Sequence, residues 1–513
     1  MMDFMSFPNK FRITEKTLAI LIVFLGFSLR LLMLLSGKSL WGDEWFSIDL
    51  AQKSLQETFI GALRDVHPPL YFVGLHLLIQ SLGFHEWVFR LISFVAGVGT
   101  VYLVYLLGTK ITGNRRIGLW AAFLVAVSPY FLQVSNEIRS YSLLGFVSCL
   151  GTFLFLRLLD GKNTWVAKLW YLLIAVSVPY VEHYGWFWLF GISVYLVYLY
   201  ASKRIVDKSL FWLQVLVIFL CLPSFGLIAY QALYSEPVFD AARVSPYYSL
   251  SAMLKKGTAV FWHFACGPNF SMLSSERVLY YASHSAGFWF SFALTLGLFS
   301  LSLKSLAGFV RKRMDIFILF LFLLFFPIVC LLILYPIRLH SRYLTFAAPY
   351  FFILIANVLA KEQHKKWLSI FLLIVAGTYL YTDYNFIKLK TDPLHREDYP
   401  AMIQYAFEKA GPNDAICGFL VGQEVVSYYD RRLKLPKNAA YFDTCFKLAK
   451  DPSVKKYNKI WLMGYMDMDE NTNIKNMAYF KQAFGRAGFN AMSRHRRFGG
   501  ENSLTSVYVF EKN

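Results

Sequence analysis

His67-Pro68-Pro69-Leu70-Tyr71-Phe72-Val73-Gly74-Leu75-His76-Leu77-Leu78-Ile79-Gln80-Ser81-Leu82 is the stretch that decides how the chain threads a membrane. It is apolar, but its 16 residues fall short of the roughly 20 that a crossing helix needs. Its paired prolines suit the start of a helix, where a missing N–H costs nothing. Were it to cross, every later loop would change sides. We read 67–82 as a helix lying in, or dipping into, the outer interface.

The charge pattern supports that reading. Eleven apolar runs surround the stretch: 17–35, 88–108, 117–134, 141–159, 169–181, 185–201, 210–230, 286–303, 315–335, 343–360 and 367–382. With a cytoplasmic N-terminus, the inner segments hold 18 Lys and Arg in 59 residues, and the outer segments only 11 in 127. Basic residues concentrate on the cytoplasmic side of membrane proteins. A twelfth crossing at 67–82 would reverse the bias.

Composition agrees. The 513 residues are 57% hydrophobic and 16% charged, against about 25% charged in soluble domains. That much apolar surface excludes a disordered chain. The net charge of +19 sits mainly in short gaps between apolar runs, so it is no nucleic-acid footprint. The expected fold is a polytopic α-helical membrane protein of about 11 transmembrane helices. Its first outer loop, 36–87, carries interfacial helices, and a long outer loop covers 231–284. We place the transmembrane domain at 1–385 and a small extracytoplasmic α/β domain at 386–513. In the tail, the pattern predicts helices near 398–410 and 474–487. Strands are expected near 415–420, 459–464 and 503–511. Cys417 and Cys445 share this tail, and sequence leaves their pairing open.

Charged groups beside an apolar bundle are costly and call for a reason. On this topology they gather on the outer side. Asp43 and Glu44, set between Trp41 and Trp45, suit a general base, and equally a helix cap with an acidic first turn. His67 suits a phosphate or metal ligand, or a hydrogen-bonded structural residue. Glu137 and Arg139 follow the third run; they suit either a mutual ion pair or a donor site. Glu182-His183-Tyr184 supplies too few ligands for a metal by itself. Arg338-Leu339-His340-Ser341-Arg342-Tyr343 places two guanidinium groups against the charge bias, four residues apart. A helix would put both on one face, and their forked donors fit phosphate oxygens. Ordinary anionic head groups would satisfy them too. Lys255 and Lys256 beside Phe261, Trp262 and Phe264 suggest an interfacial amphipathic segment. Arg30, inside the first run, is set to snorkel or to face a polar cleft.

The order of these motifs is similar to that of the C-type glycosyltransferases, in particular the superfamily of protein O-mannosyltransferases and lipid A aminoarabinose transferases (family 39-like). The motifs are Asp43-Glu44, His67-Pro68-Pro69-Leu70-Tyr71, Arg90-Leu91-Ile92-Ser93, Glu137 with Arg139 and Tyr141, His183-Tyr184 and Arg342-Tyr343-Leu344. The resemblance covers roughly 15–385. It implies transfer of a sugar from a polyprenyl-phosphate carrier to an acceptor on the non-cytoplasmic face, with protein, lipid and glycan all open as that acceptor; the compact architecture suggests a bacterial inner membrane. The resemblance implies that Asp43 is the catalytic base, with Glu44 as neighbour or substitute. Arg342 and Arg338 would bind the lipid phosphate, with Tyr343, His67, Glu137, Arg139 and His183 completing the donor site. Some relatives hold a divalent metal near the donor; His67, Glu137 and His183 are candidates, and no assignment is made. No Gly-rich phosphate loop is present, in keeping with a lipid-borne donor. The competing reading is a transporter or flippase of lipid-linked saccharides. Such proteins carry repeats and midplane sites, neither of which the sequence shows.

This topology makes a testable statement. Single cysteines placed at positions 43 and 342 should both react with an impermeant maleimide added from the non-cytoplasmic side. Labelling from opposite sides would overturn the arrangement.

Overall fold

The computed structural model describes residues 14–161, 164–204, 207–234, 250–267, 286–334, 339–362, 366–388, 398–419, 421, 423–465, 471–498 and 505–512. They form two compact units, one of Met1–Leu35 with Leu50–Ile387 and one of Ser36–Asp49 with Lys388–Asn513.

The first unit is helical. Its long elements are α1 (Glu15–Leu35), α5 (Glu86–Thr112), α8 (Tyr141–Leu159), α9 (Trp165–Val181), α10 (Gly185–Ala201), α11 (Lys208–Tyr234), α12 (Leu250–Cys266), α13 (Ala286–Lys312), α16 (Ala348–Lys361) and α17 (Lys366–Lys388). Among the described residues, seven helical segments are long and apolar enough to cross a membrane, and shorter apolar helices accompany them. The protein is an integral membrane protein built on this bundle. The stretch that decided the topology forms α4 (Leu70–Leu82), 13 residues or about 20 Å long.

Local sequence explains the breaks. The run 117–134 is two helices, α6 (Arg115–Ala126) and α7 (Pro129–Val134), rather than one. Proline disfavours a helical residue before it, and Ser128 is extended. The ninth run divides into α14 (Met314–Phe320) and α15 (Phe326–Leu334), joined by a π turn at Leu321–Phe325. Pro327 lacks the N–H that a regular helix would use there. A methyl on Gly191 of α10 would come within 3.1 Å of the Phe322 carbonyl oxygen, so the helix lies close against that turn. The segment expected at the interface around Lys255 and Lys256 is part of α12. Its Phe261, Trp262 and Phe264 are buried in the bundle core instead, where Phe261 meets Phe299, Phe325 and Phe351. Three large rings on one short segment fill the space between helices better than they cover a surface.

Arg30 neither snorkels nor faces an open cleft. It is buried and donates to Ser135 Oγ at 3.1 Å, and to the carbonyls of Gly26 at 3.0 Å and Ala126 at 3.1 Å. Asp383 of α17 acts on it electrostatically. It ties α1 to the end of α6 and to the segment after α7.

The second unit is a five-stranded sheet of order β2-β1-β3-β5-β4. Its strands are β1 (Ala415–Phe419), β2 (Ala440–Phe442), β3 (Lys459–Tyr465), β4 (Phe489–Arg497) and β5 (Thr505–Lys512). The β1–β2 and β1–β3 pairs are parallel, and β5 runs antiparallel to β3 and β4. Helices α18 (Tyr399–Lys409), α19 (Gln423–Leu433), α20 (Cys445–Lys450) and α21 (Asn471–Gly485) accompany the sheet. Cys417 of β1 and Cys445 of α20 form a disulfide.

Helices α5 and α6 touch backbone to backbone. A methyl on Gly108 would lie 2.9 Å from Gly118 Cα, and one on Gly118 would lie 2.4 Å from the Tyr105 carbonyl oxygen. Overpacking of this kind typically costs about 1–3 kcal/mol. Gly118→Ala should therefore lower the melting temperature of the detergent-solubilised protein; an unchanged melt would show that the crossing is loose.

Candidate active site

The loop between α3 (Leu55–Arg64) and α4 is held at both ends. Ser54 and Glu57 form a capping box at the start of α3, which satisfies two otherwise unpaired donors. Pro69 precedes α4. Between them the chain turns and carries Asp65 and His67 inward. His67 Nδ1 lies 2.9 Å from Asp65 Oδ2, and its Nε2 lies 3.0 Å from Arg139 Nη2. A guanidinium has donors only, so Nε2 accepts and the proton sits on Nδ1, donated to Asp65. Burial pushes the Asp65 carboxyl up, but the hydrogen bond from His67 and the nearby Arg139 charge outweigh it, leaving the group below the usual carboxylate range.

Arg139 comes from the 135–140 junction between α7 and α8 and is buried. Ser93 Oγ of α5 donates to its carbonyl at 3.2 Å. Arg90, one turn before, donates to the Asn136 carbonyl. Glu137 accepts from Gln133 Nε2 at 2.8 Å. The α9–α10 junction contributes Glu182, which accepts from Ser140 Oγ at 2.7 Å, and His183. His183 Nε2 pairs with Gln231 Oε1 at 2.7 Å. Gln231 in turn donates to the carbonyl of His67 at 3.2 Å. One glutamine thus ties α11 to both histidine-bearing loops. Burial drives the His183 imidazole below its ordinary value, against the pull of Glu182 and Gln231.

The final component is aromatic and cationic. Tyr184 stacks on Tyr343 with centroids 4.6 Å apart and planes 6° apart. Tyr141 meets Tyr343 edge-on at 5.7 Å. The Arg342 guanidinium carbon lies 5.5 Å from the Tyr141 ring centroid and 5.6 Å from that of Tyr343. The Arg139 guanidinium carbon lies 6.0 Å from the Tyr141 ring centroid. Rings that face a cation attract it through their quadrupole. Arg342 and Tyr343 are half-buried, so the wall keeps an accessible surface.

The spacing of Arg338 and Arg342 would put both on one face if the segment were helical. Arg338 lies outside the described residues. Leu339 and His340 are non-helical, with His340 extended, and Ser341–Leu344 is a 3-10 turn. The four-residue spacing therefore does not describe a helix face. Tyr130 Oη donates to the Ser341 carbonyl at 2.9 Å, and His263 Nδ1 meets Ser341 Oγ at 2.5 Å, which pins the turn. The first unit thus brings together His67, Glu137, Arg139, His183, Arg342 and Tyr343. It adds Asp65, Tyr130, Tyr141, Glu182, Tyr184, Gln231 and His263. Gln231 and His263 gave no signal, because each is a lone polar residue near the end of an apolar run.

A metal does not fit this arrangement well. Both nitrogens of His67 are engaged, and among the described residues no three His, Cys, Asp or Glu side chains converge to hold an ion.

Asp43 and Glu44 belong to the second unit. They stand in the first turn of α2 (Gly42–Gln52), and Trp45 N–H bonds the Trp41 carbonyl at 3.0 Å. Trp41 is therefore the cap residue. Glu44 Oε2 reaches back to the Trp41 N–H at 3.4 Å, which is the role of the third helical residue in a capping box. Glu44 is buried, whereas Asp43 is half-buried.

The sequence profile of the dolichyl-phosphate-mannose-protein mannosyltransferase family matches residues 66–227. This segment holds His67, Glu137, Arg139 and His183. No curated protein matches by sequence. Among solved structures, apo ArnT from Cupriavidus metallidurans is similar over 96% of this chain and 97% of its own, with 13% identity and a TM-score of 0.56. ArnT bound to undecaprenyl phosphate gives 13% identity, the same coverage and a TM-score of 0.53. The archaeal oligosaccharyltransferase AglB from Archaeoglobus fulgidus, in complex with an inhibitory peptide and a dolichol-phosphate, covers 92% of this chain and 72% of its own, with 12% identity and a TM-score of 0.51. The chain has the C-type glycosyltransferase fold that the order of its motifs resembles.

The His183 and Asp65 shifts share one sign. Both groups are held below their unfolded values, so each stabilises the fold at higher pH and loses that contribution on acidification. For His183 the loss begins below about pH 6.5. Thermal melts from pH 8 to 5 should show falling stability, and His183→Gln should flatten the fall. An equal slope in the variant would rule out His183 as the source.

Proposed function

We propose that this protein is an inverting membrane glycosyltransferase. It moves a sugar from a polyprenyl-phosphate-linked donor to an acceptor hydroxyl on the non-cytoplasmic face of a bacterial inner membrane. The N-terminus is cytoplasmic and the C-terminal domain extracytoplasmic. The carrying observation is the Arg139–Tyr141–Arg342–Tyr343–Tyr184 wall at the end of an apolar bundle. Two guanidinium groups gathered on a cluster of tyrosine rings suit an anionic ligand, whose oxygens fit their forked donors. The matched family and the undecaprenyl phosphate and dolichol-phosphate of the similar structures support a lipid phosphate as that anion.

In this reading Asp43 accepts the proton of the acceptor hydroxyl as its oxygen attacks the anomeric carbon. The bond from that carbon to the phosphate oxygen breaks, and its electron pair leaves with the polyprenyl phosphate. Arg342, together with Arg338, stabilises the growing charge on the leaving phosphate. Tyr343 and Tyr184 offer a stacked face to the sugar. Phosphate leaves readily as an anion, so no general acid is needed. Glu44 holds the helix start that presents Asp43. His67, Arg139, Glu137 and His183 shape the donor side.

The test uses membranes or proteoliposomes supplied with a radiolabelled polyprenyl-phosphate sugar and a mixture of envelope acceptors. Wild-type protein should release carrier phosphate and leave label on an acceptor. Label that changes leaflet without cleavage would replace this reading with a flippase. Asp43→Asn, folded and inserted, should lose about 10²–10⁴-fold in turnover; full activity would reject it as the base. Arg342→Gln should raise the KM for the donor as well as lower kcat.

A further inference from the structure

The short segment Ser36–Asp49 does not group with the helices on either side of it. It forms one compact unit with Lys388–Asn513, more than 300 residues away in sequence. Its contacts explain why. Trp45 packs against two adjacent tyrosines of α19, with ring centroids 5.0 Å from Tyr428 and 5.8 Å from Tyr429, both edge-on at 76° and 72°. Those two rings are themselves 5.1 Å apart. One turn further along α19, Arg432 lies against the start of the segment, where a Cβ on Gly37 would be 3.6 Å from its Nη2. Gly37 has φ +62°, a conformation in which other residues are strained. Two separate points of the segment thus meet one helix.

That helix is anchored. Val426 and Tyr429, three residues apart, are buried, α19 packs on α18, and Lys434, at φ +52°, follows its end. On the other partner, Trp41, Trp45 and Ile48 recur at helical spacing and are all buried. Asp43 is two residues from Trp45, about 200° round the helix. A helix held by Trp45 therefore turns the Asp43 carboxylate to the side opposite α19. The exposed Phe46 marks the same side.

We propose that the C-terminal domain is the positioning device of the reaction: Tyr428 and Tyr429 clasp Trp45 and so set the rotation of the helix that presents Asp43. This rests on Asp43 being the base. Edge-to-face pairs have a defined geometry, and a displacement of about 1 Å at a reacting group can cost about 10²-fold in rate. Tyr428 and Tyr429 are positioning residues, because their contact is with Trp45 and their effect passes through the helix.

The full-length protein in proteoliposomes, with the radiolabelled polyprenyl-phosphate sugar, tests this. Tyr428→Ala should lower kcat about 10²-fold, while the donor KM and the Kd for undecaprenyl phosphate stay within about twofold, below the tenfold worth of 1.4 kcal/mol. Tyr428→Phe, which keeps the ring, should restore kcat. In an Asp43→Asn background, Tyr428→Ala should cost little more, since there is no base left to aim. Wild-type kcat in Tyr428→Ala, alongside an inactive Asp43→Asn, would overturn the clasp and leave the base assignment standing. Full activity in Asp43→Asn would overturn the base assignment itself. A loss in Tyr428→Phe equal to that in Tyr428→Ala would assign the effect to the hydroxyl and reject the ring clasp. Should Tyr428→Ala fail to fold, Trp45→Phe provides the same kcat-against-KM comparison with a smaller ring in the clasp.

Discussion

Burying a charge in an apolar bundle is the constraint on which the first unit depends. An unpaired ion in such surroundings costs several kcal/mol, so each charged side chain must bring its partners with it. Arg30 meets the requirement with a carbonyl of its own helix, with one at the end of α6 and with a serine. Arg139 meets it with His67, which passes the demand on to Asp65. These chains tie together loops that the sequence separates widely. They also leave the polar groups in a connected set beside an aromatic wall, the arrangement from which the proposed chemistry follows.

Much of this was legible because membrane helices announce themselves. Their runs are long, apolar and punctuated by basic gaps, and all eleven have helical counterparts among the described residues. The finer breaks follow from proline, whose effect at Pro129 and Pro327 is local. The π turn before Pro327 carries no apolar signature, so periodicity could not show it. The second unit was less legible. Strand β4 reads Phe489-Asn490-Ala491-Met492-Ser493-Arg494-His495-Arg496-Arg497, with no sustained alternation. It is the last strand of the sheet, and charges suit an edge because they discourage pairing with a second chain. Strand β2, at three residues, is too short for a pattern.

Among the site residues, those in polar junctions stood out and those inside helices did not. His67, Glu137, Arg139 and His183 interrupt apolar sequence with several polar neighbours. Gln231 is a single amide near the end of a long hydrophobic helix, yet it bridges two loops. Its importance lies in contacts made across more than 160 residues, which spacing cannot reveal. The arginine pair shows the opposite failure. Four residues suggested one helical face, but the backbone at His340 is extended. Hydrogen bonds from Tyr130 and His263 fix the turn there, and those partners come from distant helices.

The discontinuous second unit has a consequence for biosynthesis. Residues 36–49 emerge from the ribosome early, and the strand that closes the sheet emerges last. Through most of translation the tryptophan-bearing helix has no tyrosines to rest against. The early segment can therefore reach its seat only after the tyrosine-bearing helix has been made. A chain cut short before α19 would leave Trp45 without the two rings it packs against.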